Sequence, residues 1–376
     1  MTALLMFAVL QVLITCTPGS TEPIVLFVMK DQSDTASLNP TRLQIAAQLA
    51  VEQHMRETGS SRAVARHHFL TYTGPEENGV QRARDFLRNN TGVVALVGDI
   101  NSTGTRLLAS LASELEIPHV SFFATDESIF PENPWTFSYR ERISHETESL
   151  IELVQEHARL DRPLLIVNDL QNLVTRWEAF STQLGEASIH DVAVLEVPRE
   201  RFDFTEDIER ITQGEFNTDG IVSFLTADQT EHLLQQLARA DLELPVVLSG
   251  VLLDYENLRE LSGHDFDVYT FAFEHTLGLL SGTDAYLNDF ARRYRLATGI
   301  RRIDSLGPWI FDGMLLLHTC IEMEQTCDGL RDALLALDER RMVGPIRFDS
   351  TGALAERTFQ LVQLDNGRLR TLEGDS

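Results

Sequence analysis

The stretch VVALVGDINSTGTRLLASLASELEIPHVSFFATDESIFPENPWTFSYR, residues 93–140, decides the fold. It begins with VVALV, an apolar β-rich run that is typical of a buried strand. A loop of Asp, Asn, Ser and Thr follows, and apolar residues then recur at helical spacing over residues 103–115. Ile117-Pro118 introduces a second strand, predicted over residues 120–123. A strand, a helix and a strand in this order predict parallel strands joined by a right-handed crossover.

The same alternation continues on both sides of this stretch. Further apolar runs begin at Ile24, Leu164, Val192 and Gly220, and amphipathic segments separate them. Strands that alternate with helices of ten or more residues predict an α/β fold with parallel sheets. A chain of 376 residues is long enough for two domains. We therefore expect two α/β lobes, each with its own sheet.

The composition excludes several classes of protein. Hydrophobic residues make up 43% and charged residues 23%, so the chain is not disordered as a whole. The 31 basic and 57 acidic residues give a net charge of −26, which repels nucleic acid, and we expect no such partner. Beyond the N-terminus there is no apolar run of about 20 residues, so we expect no internal membrane span. Lys30 is the only lysine, a skew that a GC-rich genome produces.

The N-terminal segment predicts export. Residues 1–15 are mostly apolar and too short to span a bilayer, as in a secretory signal peptide. Leu13-Ile14-Thr15-Cys16 resembles the lipobox of bacterial lipoproteins, in which the cysteine becomes the lipidated first residue. We expect a lipid anchor at Cys16, a tether over residues 16–23 and a periplasmic or other extracytoplasmic location. The alternative is an ordinary cleaved signal peptide, and apart from such an anchor we expect no membrane contact.

Two cysteines remain near the C-terminus. Cys320 and Cys327 are separated by Ile-Glu-Met-Glu-Gln-Thr, and in an oxidising compartment this pair predicts a local disulfide. The alternative is two buried thiols. No His or Cys cluster lies near them at ligand spacing, so we expect no metal site.

Residues 93–140 also resemble the ligand-loop region of type I periplasmic substrate-binding proteins, which include the branched-chain amino-acid receptors of ABC transporters. The family pattern is a strand ending in Gly, a Ser/Thr loop opening a helix, an Ile-Pro-x-Ile/Val-Ser strand and an Ala/Ser-Thr loop. GPIRFDSTG, residues 344–352, resembles the closing signature of the family. The resemblance implies two Rossmann-like lobes with parallel sheets, joined by a three-strand hinge. It assigns residues 24–139 and 274–341 to lobe one, and residues 140–273 and 342–376 to lobe two.

The candidate site lies at the ends of strands, because ligands of open α/β sheets bind beyond their carboxyl ends. Ser102 and Thr103 open a predicted helix, whose unpaired N–H groups favour a carboxylate, although either residue is equally suited to cap the helix. Phe122 and Phe123 are sheet core by default, but Phe123 lies at the loop and is suited to contact an apolar ligand group. From the resemblance and from loop position, the candidate ligand-binding residues are Ser102, Thr103, Phe123, Ala124, Thr125, Asp169, Thr226 and Asp254.

Two departures from the family affect the expected ligand. Amino-acid receptors often place an acid near the strand end that matches Leu248-Ser249-Gly250, and no carboxylate stands there. Leu173 lies where such receptors often present an aromatic side chain. The alternative for each of Asp169, Thr226 and Asp254 is a solvated loop residue.

No catalytic motif is present. The sequence contains no Walker loop, Gly-x-Gly-x-x-Gly, His-Glu-x-x-His or Gly-x-Ser-x-Gly, so we expect neither an enzyme nor a cofactor. The resemblance implies an extracytoplasmic receptor that binds an amino acid or a similar small carboxylate-bearing solute and delivers it to an ABC transporter permease. The alternatives are an envelope lipoprotein of the same fold that senses or regulates another protein, and an enzyme on an α/β scaffold.

Overall fold

The structure, a computed structural model, describes residues 22–31, 40–187, 189, 191–249, 267–300, 303, 306–356, 359–365 and 368–372. The predicted signal peptide, the lipidation site Cys16 and the candidate ligand residue Asp254 lie outside the described residues.

The first sheet is parallel and has the strand order β2-β1-β3-β4-β5. Its strands are β1 Ile24–Lys30, β2 Arg66–Tyr72, β3 Val93–Gly98, β4 His119–Ser121 and β5 Thr136–Ser138. The intervening helices are α1 Pro40–Thr58, α2 Glu77–Asn89 and α3 Ser102–Leu115, with a 3-10 turn at Glu127–Ile129. The strand predicted over residues 120–123 is shorter and begins earlier, because β4 ends at Ser121 and leaves Phe122 and Phe123 in the loop after it.

The second sheet has the order β14-β13-β10-β9-β8-β6-β7. Strands β6 to β10 pair in parallel, whereas β13 and β14 are antiparallel additions at one edge. The strands are β6 Pro163–Asn168, β7 Ala193–Val197, β8 Gly220–Phe224, β9 Val246–Leu248, β10 Val268–Phe273, β13 Phe359–Asp365 and β14 Arg368–Thr371. The helices are α4 Ile143–Glu152, followed by a π-helical turn at Leu153–His157, and then α5 Gln171–Glu186, α6 Thr205–Thr212 and α7 Ala227–Arg239.

After β10 the chain returns to the first sheet. The returning elements are α8 Glu274–Ser281, α9 Ala285–Thr298, α10 Leu306–Met323, α11 Cys327–Leu335, and a hairpin of β11 Asp338–Arg341 and β12 Gly344–Arg347. Helix α10 packs along α1, and its apolar residues share a core with Val25, Phe27 and Met29 of β1. The other face of β1 packs in a separate cluster with α2 and α3. The predicted α/β class with parallel sheets is confirmed.

Residues 344–352, which carry the closing signature, pack against the end of β5. The Phe348 ring lies 5.3 Å from the Phe137 ring and 5.0 Å from the Tyr139 ring, measured between centroids. The backbone N–H of Ser138 donates to the Gly352 carbonyl at 2.8 Å, and Arg142 pairs with Asp349. The third crossing between lobes is predicted near Met342. Met342 precedes the contact between Gly352 and Ser138, and the chain joins the second sheet only after that contact, at β13.

The predicted Cys320–Cys327 disulfide is wrong for this structure. Cys320 is a free, buried thiol, and burial raises its pKa to about 12. Helix α10 does end between the two cysteines, but Cys320 packs in the core beside α1 whereas Cys327 packs in the cluster with α2 and α3. The Cys327 sulfur lies 3.7 Å from the Val94 carbonyl oxygen. The two side chains therefore belong to different clusters of the first lobe.

Two histidines meet where β2 packs against α10. The Nε2 atoms of His67 and His318 lie 2.8 Å apart. Burial lowers the pKa of His67 to about 4, and burial together with the neighbouring His67 and His54 lowers the pKa of His318 to about 3. In the folded protein these two histidines therefore stay unprotonated in a pH range where the same histidines of the unfolded chain bind protons. Their contribution to stability is complete above pH 6.5, the ordinary pKa, and declines as the pH falls toward the folded values.

We expect His318→Gln to reduce the acid sensitivity of folding. Between about pH 7.5 and about pH 5, wild type should lose about 2 kcal/mol more unfolding free energy than the variant, because glutamine takes up no proton in either state. Urea unfolding at the two pH values measures this difference. His232→Gln, at an exposed histidine of α7, is the matched control and should keep the wild-type slope. If wild type and His318→Gln lose the same unfolding free energy between the two pH values, the lowered pKa of His318 is wrong.

Candidate functional site

The carboxyl ends of β1 to β4 form the edge on which the predicted lobe-one residues lie, and a buried carboxylate organises this edge. Asp99 is 1% exposed, and it accepts the backbone N–H groups of Lys30 at 3.0 Å and Ile100 at 2.6 Å. The hydroxyl of Tyr72 donates to its other oxygen. Burial, as the largest influence, raises the pKa of this carboxyl. Asp99 thereby joins the ends of β1, β2 and β3.

Two glycines allow the close approach of the chain around Asp99. Gly98 has a φ of +138°, and a side chain there would meet the Val28 carbonyl of β1. A β-carbon at Gly104 would collide with the Asp99 carboxylate. The hydroxyl of Thr105 receives the Asp99 N–H at 3.2 Å. The start of α3 is thus held directly against the edge of the sheet.

The residue that caps α3 is Asn101, not Ser102 or Thr103. Its side-chain oxygen accepts the Gly104 N–H at 2.7 Å, and its backbone is extended. Ser102 is half-buried and Thr103 is exposed, and within the described ranges neither hydroxyl has a hydrogen-bond partner. Their backbone N–H groups belong to the first turn, where a helix supplies no acceptor. The helix therefore presents two hydroxyls and two N–H groups at its positive end.

The loop after β4 lies beside the start of α4. The Ser121 hydroxyl oxygen receives the Ala124 N–H at 3.2 Å and the Phe123 N–H at 3.5 Å, which fixes the turn. Phe123 and Thr125 are half-buried, whereas Ala124 is buried and offers no accessible side chain. The Ser144 N–H donates to the Glu127 carboxylate at 2.7 Å and connects this loop to α4.

The predicted lobe-two residues lie at the corresponding edge of the second sheet. Thr226 caps α7 in a capping box with Gln229, so its hydroxyl already has a structural role. Asp169 is exposed and lies 3.4 Å from the Arg199 side chain. It borders a cavity of about 470 Å³ at the ends of β6 and β7. The cavity is lined by Val167, Asn168, Asp169, Val174, Trp177, Glu196, Val197 and Pro198.

Sequence reasoning missed an ion pair next to the cap of α3. The Lys30 ammonium lies 2.8 Å from Oε1 of Glu76, and the Asn101 side-chain amide donates to the same oxygen at 3.3 Å. Lys30 is 26% and Glu76 19% exposed, and the hydrogen bond from Lys30 is the main cause that lowers the pKa of Glu76. The signal for it was the single lysine in the sequence.

A second missed group is buried where the chain leaves β5. Arg140 and Glu141 are 7% and 0% exposed, and their charged atoms lie 3.9 Å apart. The Arg140 guanidinium also faces the rings of Phe273 and Trp309, at 5.2 and 5.9 Å from their centroids. Burial raises the pKa of Glu141 to about 7, and its carboxyl oxygens have no hydrogen-bond partner among the described residues. The chain therefore passes from the first sheet toward the second through a pair of buried ionisable side chains, Arg140 and Glu141.

The described ranges hold neither a metal cluster nor a membrane-spanning helix. No group of three or more His, Cys, Asp or Glu side chains there is arranged to hold a metal ion. In the same part of the chain, no helix combines the length and the apolar character required to span a bilayer.

Two α/β sheets place polar side chains and a helix N-terminus at their strand ends. A family profile described as periplasmic binding protein matches residues 72–368, and the chain belongs to this family. It is a family of extracytoplasmic solute-binding proteins rather than of enzymes. No curated protein matches the chain.

Solved structures share the fold at low sequence identity. The branched-chain amino acid transporter substrate-binding protein LivJ of Streptococcus pneumoniae, in complex with isoleucine, has a TM-score of 0.69 at 15% identity, covering 94% of this chain and 99% of its own. An ABC transporter substrate-binding protein of Desulfitobacterium hafniense, in complex with Leu, has 0.66 at 18%, covering 93% and 100%. A solute-binding protein of an ABC transporter of Rhodopseudomonas palustris, in complex with 3,4-dihydroxybenzoic acid, has 0.68 at 16%, covering 94% and 96%.

The Asn101 side-chain amide caps α3 and the Ser102 hydroxyl does not, and this difference gives a stability test. Asn101→Ala should lower the free energy of unfolding by about 1 kcal/mol, because the Gly104 N–H loses its acceptor. Ser102→Ala should change it by less than about 0.5 kcal/mol, since its hydroxyl has no intramolecular partner. Urea unfolding of the ligand-free proteins compares them. If Ser102→Ala costs as much as Asn101→Ala, the cap has been assigned to the wrong residue.

Proposed function

We propose that this protein is a receptor that holds a small carboxylate-bearing solute between its two lobes and delivers it to an ABC transporter permease. The observation that carries the proposal is the start of α3, where the N–H groups and hydroxyls of Ser102 and Thr103 lack partners within the described ranges. A helix N-terminus of this kind stabilises a bound anion through its N–H groups and its dipole.

The chemistry of similar proteins supports a carboxylate. Isoleucine, leucine and 3,4-dihydroxybenzoic acid, the ligands in the three similar structures, differ in size and in the presence of an amine. The group that all three share is the carboxylate. In this chain the side chains suited to hold it are Ser102, Thr103 and Thr125, with Phe123 beside the apolar part of the solute.

The arrangement of the sheets supports closure by a hinge. Two passages between the sheets run through Arg140 and Phe273, and the third follows the contact between Gly352 and Ser138. Three connecting strands permit the lobes to close over a solute while they limit twisting. Asp169, at the edge of the second sheet, would then face the first lobe from across the cleft.

We also retain Cys16 as the proposed lipid anchor, which mass spectrometry of the mature N-terminal peptide would detect.

The proposal predicts a loss of affinity without a loss of fold. Mass spectrometry of protein purified without dialysis identifies the bound solute, and calorimetry then measures its affinity for wild type and for Ser102→Ala/Thr125→Ala. Hydrogen bonds to a charged group contribute about 1.5–3 kcal/mol each, so each removed hydroxyl should weaken binding roughly ten- to hundredfold.

The matched control is Ser110→Ala, an exposed serine on α3 outside its first turn, which should bind as wild type does. If the double variant keeps the wild-type affinity, the carboxylate is held elsewhere. If no small solute is found and none binds, the receptor function is wrong and a regulatory role through a protein partner becomes the better account.

A further inference from the structure

Two of the passages between the sheets pack against each other through Arg140. This residue follows β5 in the first passage, and its guanidinium lies 5.2 Å from the ring centroid of Phe273, which ends β10 and begins the second passage. The same guanidinium lies 5.9 Å from the Trp309 ring of α10. His275 stacks on Phe273 at 5.5 Å between ring centroids, with an angle of 8° between the planes. Because both passages connect the lobes, a rotation of one lobe against the other changes the packing around Arg140.

Glu141, the next residue of the first passage, is an ionisable side chain buried in this contact. It is 0% exposed, and its carboxyl group lies 3.9 Å from the Arg140 guanidinium, which is too far for a hydrogen bond. Neither carboxyl oxygen has a hydrogen-bond partner among the described residues. A buried carboxylate without hydrogen bonds is far more costly than a neutral carboxyl group. The described packing of the two passages therefore favours the protonated form of Glu141.

The charged groups that face Glu141 from the neighbouring helices nearly cancel. Glu146 of α4 and Arg176 of α5 form a buried ion pair at 2.7 Å, and they act on Glu141 in opposite directions. His275 of α8 stays neutral, since burial and the Arg140 charge lower its pKa to about 3. Among the described residues, Arg140 is then the remaining charge that acts on Glu141. Burial outweighs this charge and raises the pKa of Glu141 from 4.5 to about 7.

We propose that Glu141 couples the arrangement of the lobes to pH: its carboxyl group keeps a proton while the two passages pack as described, and it releases this proton to water when the lobes rotate and water reaches the group. The inference rests on the hinge movement of the proposed function, but not on the identity of the solute. The arrangement in which water reaches Glu141 is called the hydrated arrangement below.

The direction of the pH effect follows from the two pKa values of Glu141. Hydration stabilises the carboxylate, so in the hydrated arrangement the pKa returns toward its ordinary value of 4.5. Between this value and about 7, the described arrangement binds a proton that the hydrated arrangement does not bind. A fall in pH through this range therefore stabilises the described arrangement, and a rise in pH favours the hydrated arrangement.

Trp309 can report on water that enters this contact. The chain has three tryptophans, so the double substitution Trp135→Phe/Trp177→Phe leaves Trp309 as the only one. Trp309 is 0% exposed, and water that reaches its ring should shift its fluorescence emission to longer wavelength. This reporter protein is freed of solute by unfolding and refolding. Its emission and its radius of gyration from X-ray scattering are then measured from about pH 5 to about pH 8.

The emission should move to longer wavelength as the pH rises, and the radius of gyration should change over the same pH range. With pKa values of 4.5 and about 7, the ratio of hydrated to described arrangement should increase about 70-fold between about pH 5 and about pH 8. Glu141→Gln in the reporter protein should abolish both changes, because an amide binds no proton in this range. Glu148→Gln, at an exposed glutamate of α4, is the matched control and should retain both changes.

The inference is overturned if emission and radius of gyration do not change with pH, or if they change equally in Glu141→Gln. A change in emission at constant radius of gyration also overturns it, because Glu141 then titrates without movement of the lobes. Melting temperatures show whether each variant is folded, and the titration of the reporter protein remains a test even if Glu141→Gln does not fold. Because no solute is present, a failure of solute binding would contradict the proposed function and leave this result unaffected.

Discussion

The buried carboxylate of Asp99 is the constraint on which the proposed binding edge depends. Parallel strands leave unpaired N–H groups at their carboxyl ends, and here Asp99 accepts those of Lys30 and Ile100 together with the Tyr72 hydroxyl. A buried carboxylate is costly without such partners, so the three strand ends must stay in register to satisfy it. The Asp99 carboxylate lies so close to Gly104 that a β-carbon there would collide with it, and this close approach holds α3 against the sheet.

This constraint separates residues that build the edge from residues that are free to bind. Asn101 satisfies the N–H of Gly104, and Thr105 satisfies that of Asp99, whereas the hydroxyls of Ser102 and Thr103 make no hydrogen bond within the described ranges. At the second sheet the division differs, because Thr226 is itself the cap of α7. We therefore infer that the first lobe provides the main anchor for the solute, and that the second lobe contributes mainly through closure.

Much of the fold could be predicted because its signals are local. The strand, loop and helix over residues 93–115 are read from apolar periodicity and a polar loop, and the candidate site, which stays a prediction, was placed by the rule that ligands lie at strand ends. The exact cap was missed because Asn, Ser and Thr are all good capping residues, and one residue of register separates Asn101 from Ser102. The end of β4 at Ser121 was missed for a similar reason, since Phe122 remains buried after the strand has ended.

Features that depend on distant residues could not be predicted. Cys320 and Cys327 are close in sequence, but α10 and α11 direct them into different clusters, and this depends on the packing of α1, α2 and α3. Lys30 and Glu76 are 46 residues apart and meet only because β1 and β2 are neighbours. From the sequence alone the lysine was attributed to base composition, and its pairing with Glu76 is seen only in the fold.

The central claim is that the first turn of α3 holds the carboxylate of a bound solute. A crystal structure of the protein grown with its co-purified solute tests this most directly. We predict carboxylate density within hydrogen-bonding distance, about 2.7–3.2 Å, of the Ser102 hydroxyl and of the backbone nitrogens that begin α3. A solute bound with its carboxylate away from α3, or a solute without a carboxylate at this edge, would contradict the account.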